Sequence, residues 1–109
     1  MITVRVIKSK WLRGVPRAKY SYLLHPTNKK MCCIGFLAIK LGATSNDIRG
    51  RHTLQMCNEP TLLDFDSRTD MLVDAYNVND DYTITDKERM TKLRSIGKEM
   101  GVKFVFVDK

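Results

Sequence analysis

Both ends of the chain alternate apolar and polar residues, a pattern typical of β-strands. Residues 2–6 read ITVRV, and residues 102–107 read VKFVFV, where the alternation is less strict at the end. Alternation with a period of two is expected of a strand that buries one face. We therefore predict that the two terminal segments are partners in one small, mainly antiparallel sheet.

A nearly continuous apolar segment spans residues 31–41, which read MCCIGFLAIKL. Its length favours a helix over a strand, and Gly42 stands where a glycine commonly ends a helix. Because almost every position is apolar, we expect this helix to be buried near the centre of the fold. Gly35 disfavours a helix by about 1 kcal/mol, so its presence indicates close packing against another backbone.

A second helix, amphipathic this time, is predicted over residues 86–100. Thr85 and Glu88 have the spacing of a capping box, in which each side chain binds the backbone of the other residue. Apolar residues then recur at helical spacing up to Met100, and Gly101 ends the pattern.

The segments between these elements are less regular. Residues 25–28 (HPTN) and 77–81 (NVNDD) are rich in turn-forming residues, and 44–47 (TSND) can cap a short helix. Residues 70–76 fit either a short helix or a strand, and 50–67 are predicted to be mainly loop. The pattern as a whole predicts one α+β domain over residues 1–109.

Charge is distributed unevenly along the chain. The net charge is +7, yet residues 1–55 hold eleven Lys or Arg and a single acid, Asp47, whereas residues 56–109 hold eight basic and eleven acidic residues. A basic half of this kind attracts acidic partners, either nucleic acid or an acidic protein surface. A solvated surface without a partner would have the same composition.

The basic residues are densest in a loop of residues 8–19, which also contains aromatic rings. Phosphate-seeking charges beside rings suit nucleic acid, but no helix-turn-helix, zinc-finger or ribonucleoprotein motif is present. The single tryptophan can equally anchor the loop on the core or contact a protein partner. The candidate binding residues are Lys8, Lys10, Trp11, Arg13, Arg17, Lys19 and Tyr20.

Two adjacent cysteines, Cys32 and Cys33, begin the apolar segment. Free cysteine packs as a small apolar residue, and burial alone accounts for the pair. The alternative is a catalytic thiol activated by the helix N-terminus and the preceding lysines, with His25 or His52 as base. Either cysteine with His25 is therefore a candidate catalytic pair.

The other classes of site are less well supported. Cys32, Cys33, Cys57 and His52 are four candidate zinc ligands, but adjacent cysteines replace the usual Cys-x2-Cys spacing. We therefore predict no metal and no cofactor. An odd number of cysteines indicates reduced thiols in a cytoplasm. No apolar run is long enough to span a membrane, and the N-terminus lacks the pattern of a signal peptide.

Several short segments, taken in order, resemble a family of small uncharacterised proteins of tailed bacteriophages and prophages. The matched segments include residues 30–37, KMCCIGFL, whose Lys-Met-Cys-Cys-x-Gly-Phe core is the distinctive part. The resemblance also includes residues 11–14, 21–24, 79–80, 88–89, 92–93 and 101–107, together with Asp86. Residues 51–69 have no counterpart. The resemblance implies a non-virion protein in the cytoplasm of an infected bacterium and brings no established activity.

Three functions follow as hypotheses. The first is a phage accessory protein that binds an acidic surface of a host protein, such as defence or transcription machinery, through its basic N-terminal half. The second is direct nucleic-acid binding by the same loop. The third is a cysteine-dependent hydrolase or transferase.

Overall fold

The computed structural model describes residues 2–14, 22–51 and 69–108, with the backbone alone for 69 and 70. The elements in chain order are β1 (Ile2–Ile7), a 3-10 turn (Lys8–Lys10), α1 (Cys33–Lys40), α2 (Ser45–Ile48), α3 (Thr69–Asp80), α4 (Asp86–Met100) and β2 (Val102–Val107). Helices and a strand pair share one core, so the predicted α+β class is confirmed.

The terminal strands pair with each other, as expected, but they are parallel and the predicted antiparallel arrangement is wrong. Val4 lies opposite Phe104 in the register, and the Ile2 N–H donates to the Gly101 carbonyl at 3.0 Å. Alternation of apolar residues is the same in both arrangements, so the pattern carries no information on direction. Direction is set by α4, which delivers the chain to the end of the sheet where β1 begins.

One face of this two-stranded sheet is in the core. Val4, Val6, Val102 and Phe104 are almost fully buried. Residues between them, such as Thr3 and Lys103, are exposed. One face of the sheet is therefore exposed to solvent, and the helices cover the other.

Helix α4 confirms the predicted boundaries in detail. The Thr85 hydroxyl accepts from the Glu88 N–H, while the Glu88 carboxylate accepts from the Thr85 N–H, which completes the capping box. Gly101 ends the helix in the left-handed conformation at φ 79°. Backbone groups that have no hydrogen-bond partner within the helix at its two ends are thus bonded by the capping box and by Gly101, as expected.

Helix α1 is buried, as predicted, although it is shorter than residues 31–41. Six consecutive residues, Cys33 to Ala38, are buried. A Cβ added to Gly35 would lie 1.9 Å from the Leu23 carbonyl oxygen. The glycine therefore allows the helix to contact the backbone of residue 23, which is the close packing that the sequence indicated.

The segment around Asn77 is helical, so the turn predicted over residues 77–81 is wrong for most of its length. Helix α3 continues to Asp80, and the helix alternative for residues 70–76 is the one found. Thr44 caps α2 with Asp47 as expected, and residues 26–28 form the predicted turn. Most of the predicted loop of residues 50–67 lies outside the described residues.

Candidate functional site

The Trp11 side chain is buried, with 1% of its surface exposed. Its indole Nε1–H donates to the Asn79 side-chain oxygen at 2.8 Å, and its ring centroid lies 4.8 Å from that of Phe106. A buried tryptophan needs a partner for its N–H group, and Asn79 provides it. Of the two roles considered for Trp11, anchoring the loop on the core is the one that this position fits.

Asn79 joins three parts of the chain. Its side-chain oxygen also accepts from the Cys33 N–H at 3.1 Å, which satisfies a free donor at the start of α1. Its side-chain nitrogen donates to the Leu12 carbonyl at 3.0 Å, and its own carbonyl accepts from the Gly14 N–H at 2.9 Å. Asn79 therefore fixes α1 and the loop of residues 11–14 against α3.

Sequence reasoning missed this residue because an asparagine among aspartates usually indicates a turn. The missed signal is helical spacing. Leu72, Ala75 and Asn79 fall at positions i, i+3 and i+7, and all three are buried.

Arg13 is held by the protein itself. One guanidinium nitrogen, Nη2, lies 2.9 Å from the Asp86 carboxylate, and Nη1 donates to the Trp11 carbonyl at 2.9 Å. The guanidinium also lies over the Trp11 ring at 4.9 Å. Hydrogen bonding and attraction by Arg13, followed by Arg89 and Lys8, lower the pKa of Asp86.

Arg89 is a buried cation that the sequence did not single out. It is 3% exposed, pairs with Asp86, and donates to the Asp81 and Ile84 carbonyls. A buried guanidinium requires such partners. Arg13 and Arg89 both form ion pairs with Asp86, and the Arg13 pair joins the loop after residue 10 to the start of α4.

The other predicted binding residues are placed differently. Lys8 pairs with Asp108 at 3.6 Å, and Lys10 is exposed. Arg17, Lys19 and Tyr20 lie outside the described residues. Of the predicted binding residues that the structure describes, Lys10 is therefore the one that is exposed.

Both cysteines of the pair are buried and reduced. Desolvation raises the pKa of Cys32 to about 12, and it also raises the pKa of Cys33 well above its ordinary value. The thiolate is the nucleophilic form of cysteine. At neutral pH the pair is held as neutral thiols, which suits packing and opposes nucleophilic chemistry.

His25 is engaged in the turn that follows it. Its Nδ1 accepts from the backbone N–H groups of Thr27 and Asn28, both at 3.1 Å, and its ring contacts Tyr22 edge-on at 5.0 Å. A general base needs a free ring nitrogen directed at the thiol. Because Nδ1 accepts both bonds, the ring N–H lies on Nε2, so neither nitrogen offers a free lone pair in this geometry and His25 has a structural role.

The zinc hypothesis rested partly on His52 and Cys57, which lie outside the described residues. Within residues 2–14, 22–51 and 69–108, no three His, Cys, Asp or Glu residues are grouped as metal ligands would be. No helix in the described part of the chain has the length and apolar character needed to cross a membrane.

Four short segments lie side by side on the N-terminal half, joined by backbone hydrogen bonds. Segment 10–12 bonds to residue 31, since the Met31 N–H donates to the Lys10 carbonyl at 2.9 Å and the Leu12 N–H donates to the Met31 carbonyl at 2.7 Å. Segment 30–32 therefore lies next to segment 10–12, and Trp11 pairs with Met31 as an isolated parallel bridge.

The other side of segment 30–32 contacts segment 22–25. The Cys32 N–H donates to the Tyr22 carbonyl at 3.1 Å, and the His25 N–H donates to the Lys30 carbonyl at 2.8 Å. Segment 22–25 in turn bonds to segment 49–51, where the Leu23 N–H donates to the Arg51 carbonyl at 2.7 Å. The order across the surface is thus 10–12, 30–32, 22–25, 49–51.

Exposed cations lie on three of these hydrogen-bonded segments and on the turn at residue 29. We call the set the basic array; its members are Lys10, Lys29, Lys30, Arg49 and Arg51. Asp47 is the single acid of residues 1–55, and its carboxylate is bonded to Thr44 in the α2 cap. The array therefore holds five of the nine Lys and Arg residues that are described in residues 1–55.

Comparison with protein-family models, curated proteins and solved structures gave no match to this chain.

Proposed function

We propose that this protein is a non-virion accessory protein of bacteriophage origin that binds an acidic surface of a host protein in the bacterial cytoplasm. It acts by stoichiometric binding. The basic array, on the N-terminal half, is the contact surface.

The observation that carries the proposal is the array itself. Five exposed cations lie on three of these segments and on the turn at residue 29, and backbone hydrogen bonds join the segments, so the backbone positions of the cations are fixed before a partner arrives. Preorganised charges of one sign speed association with a surface of the opposite sign and favour it over others. The origin and compartment rest on the resemblance of residues 30–37 and the associated segments to the phage family.

Burial of the cysteine pair opposes the third hypothesis, a cysteine-dependent enzyme. The pKa of Cys32 is raised to about 12, and His25 uses Nδ1 to accept two backbone hydrogen bonds. These features oppose a cysteine hydrolase or transferase, in which a lowered thiol pKa and an available base are needed.

Direct nucleic-acid binding is the second candidate, because the same exposed cations suit phosphate groups. The two candidates differ in how binding depends on salt and nuclease. The tagged protein is incubated with bacterial lysate, with and without nuclease, and washed over a series of salt concentrations.

Retention of one defined host protein after nuclease treatment is the result that the proposal predicts. Loss of all bound protein with nuclease, together with retained nucleic acid that dissociates steeply as salt rises, would replace it with the second candidate. A synthetic DNA duplex, added to the purified protein over the same salt series, provides the reference salt slope.

A further inference from the structure

A groove of about 520 Å³ lies between β2 and α4. Arg94 and Lys98 line it from the helix, and Lys103, Val105 and Phe106 line it from the strand. Pockets that bind small molecules usually have volumes of about 300–1,000 Å³, whereas a protein interface takes about 20–30 residues from each partner. The size of the groove therefore suits a small ligand.

The two walls meet because Gly97 lets α4 approach β2 closely. A Cβ added to Gly97 would lie 2.7 Å from the Val102 carbonyl oxygen and 2.8 Å from a carbon of the Phe104 ring. Lys98 follows Gly97 in the helix, and Lys103 lies between the two strand residues. Buried contacts between helix and strand thus bring cations from two elements to one groove.

The three cations of the groove have no acidic partner in the part of the chain that the structure describes. Arg94, Lys98 and Lys103 are exposed and take part in none of its ion pairs, and no residue that lines the groove is acidic. Arg94 and Lys98 are also one helical turn apart, where like charges destabilise a helix. A bound anion would relieve this repulsion.

The groove has an apolar part next to the cations. Val105 and Phe106 are half-buried, so some of each apolar side chain is exposed to a ligand. The Arg94 guanidinium lies over the Phe106 ring, 5.4 Å from its centroid. This attraction does not need the hydrogen-bond donors of the guanidinium, which match the geometry of a phosphate group.

We propose that this groove binds a small organic diphosphate, in which two linked phosphate groups carry an apolar organic group. The phosphates lie among Arg94, Lys98 and Lys103. The organic group contacts Val105 and Phe106. Two linked phosphates carry about three negative charges at neutral pH, because the terminal one has a second pKa of about 6, and this charge matches the three cations. The site is a second surface and does not depend on the proposed function of the basic array.

Nucleic acid is attracted by the same charges, but the groove lacks the features that hold a strand. Proteins that bind single strands combine a charged groove with aromatic rings on which successive bases stack. Phe104 is buried, and the Phe106 ring contacts Trp11 at 4.8 Å and the Arg94 guanidinium at 5.4 Å. Neither ring is open for a series of bases, which favours a single small anion.

The first measurement is calorimetric titration of the full chain at neutral pH and low salt. The ligands are ADP, geranyl diphosphate, their monophosphates and inorganic pyrophosphate. We expect at least one organic diphosphate to bind at least about fivefold more tightly than pyrophosphate, which has no apolar group, and than its own monophosphate, which has less charge. Comparison of ADP with geranyl diphosphate identifies a nucleoside or an aliphatic chain as the organic group.

Charge reversal is the second measurement. Arg94→Glu with Lys98→Glu should weaken binding of the preferred diphosphate at least about tenfold, since two of its three cationic contacts become repulsive. Lys87→Glu with Lys92→Glu makes the same change in net charge at exposed positions of α4 that do not line the groove. This control should bind within about twofold of the unchanged protein.

NMR then locates the ligand. The amide signals of Lys103 and Val105 should shift at saturation, while those of Lys10 and Lys30 in the basic array should not. Four results would overturn the proposal: pyrophosphate binding as tightly as both organic diphosphates, which indicates an adventitious ion only, equal binding by the Arg94/Lys98 variant, shifts confined to the basic array, and tighter binding of oligothymidine than of either diphosphate at the groove.

Discussion

The Trp11 indole nitrogen donates to the Asn79 side-chain oxygen at 2.8 Å, across 68 residues of sequence, and both residues are buried. The same oxygen accepts from the Cys33 N–H. The amide group of Asn79 thus joins the segment of residues 11–12, the start of α1 and the end of α3. Trp11, which the sequence offered as a contact for a partner, is part of the architecture that supports the exposed cations.

Removal of this amide should destabilise the fold. Asn79→Ala leaves the Trp11 Nε1–H and the Cys33 N–H buried without their acceptor, and each unsatisfied group costs about 1–3 kcal/mol. We expect the free energy of unfolding, measured by urea denaturation, to fall by about 2–4 kcal/mol.

Asn77→Ala is the matched control, because Asn77 is exposed on the same helix. It should change stability by no more than about 0.5 kcal/mol. Equal effects of the two substitutions would contradict the role assigned to Asn79.

The sequence predicted the elements whose determinants are local. The Thr85–Glu88 cap, the stop at Gly101 and the burial of residues 33–38 follow from spacing and composition within a few turns of chain. The parallel pairing of β1 with β2 depends on how the whole intervening chain is packed, so alternation within each strand could not reveal it. Asn79 was misassigned for a similar reason, since its partners Trp11 and Leu12 are distant in sequence.

Gly35→Ala should be strongly destabilising, although alanine is the better helix former. The added Cβ would lie 1.9 Å from the Leu23 carbonyl oxygen, so α1 or the backbone of residue 23 must move. We expect a loss of about 3 kcal/mol in thermal or urea unfolding, the upper end of the usual range for overpacked core positions. Ser95→Ala at an exposed position of α4 is the control, and it should be neutral or slightly stabilising. A stabilised Gly35→Ala protein would show that α1 does not pack as closely as described.

The cysteine pair should react slowly with alkylating agents. Burial raises the pKa of Cys32 to about 12 and raises that of Cys33 as well, so little thiolate is present at pH 7–8. We expect iodoacetamide to modify the peptide of residues 31–40 at least about tenfold more slowly than glutathione in the native protein, and at a similar rate after denaturation. Mass spectrometry of the digested protein separates this peptide from Cys57. Rapid modification of the native pair would revive the catalytic hypothesis.

Acid should weaken the ion pair between Arg13 and Asp86, which joins the loop after residue 10 to α4. The pKa of Asp86 is lowered in the folded protein, chiefly by its hydrogen bond from Arg13. A carboxylate with a lowered pKa stabilises the fold above its unfolded pKa of about 4, and this contribution is lost as pH falls through the folded value.

The urea midpoint of the Asp86→Asn variant should therefore fall less between pH 5 and pH 2 than that of the unchanged protein, and it should be lower at pH 7. Asp74→Asn, at an exposed position of α3, serves as the control and should keep the original pH dependence. If the Asp86 and Asp74 variants have the same pH profile, the ion pairs of Asp86 do not contribute to stability.

For the binding site, the sequence predicted the region of excess positive charge but not the arrangement of its side chains. Composition located the excess of cations in residues 1–55, but it could not show that Arg13 is paired with Asp86 and stacked on Trp11. Nor could it show that Lys10 and Lys30 become neighbours through the backbone of Met31. Those relationships depend on tertiary hydrogen bonds that no local pattern encodes.

The most direct test of the central claim is capture of host protein by the tagged chain from nuclease-treated bacterial lysate, quantified by mass spectrometry for two charge-matched variants. Lys10→Glu with Lys30→Glu reverses two members of the basic array, while Lys87→Glu with Lys92→Glu reverses two exposed lysines of α4. We predict that the first variant loses at least about 90% of the retained host protein, because like charges then face the acidic surface, and that the second keeps it. Equal retention by both variants would contradict the assignment of the basic array as the contact surface.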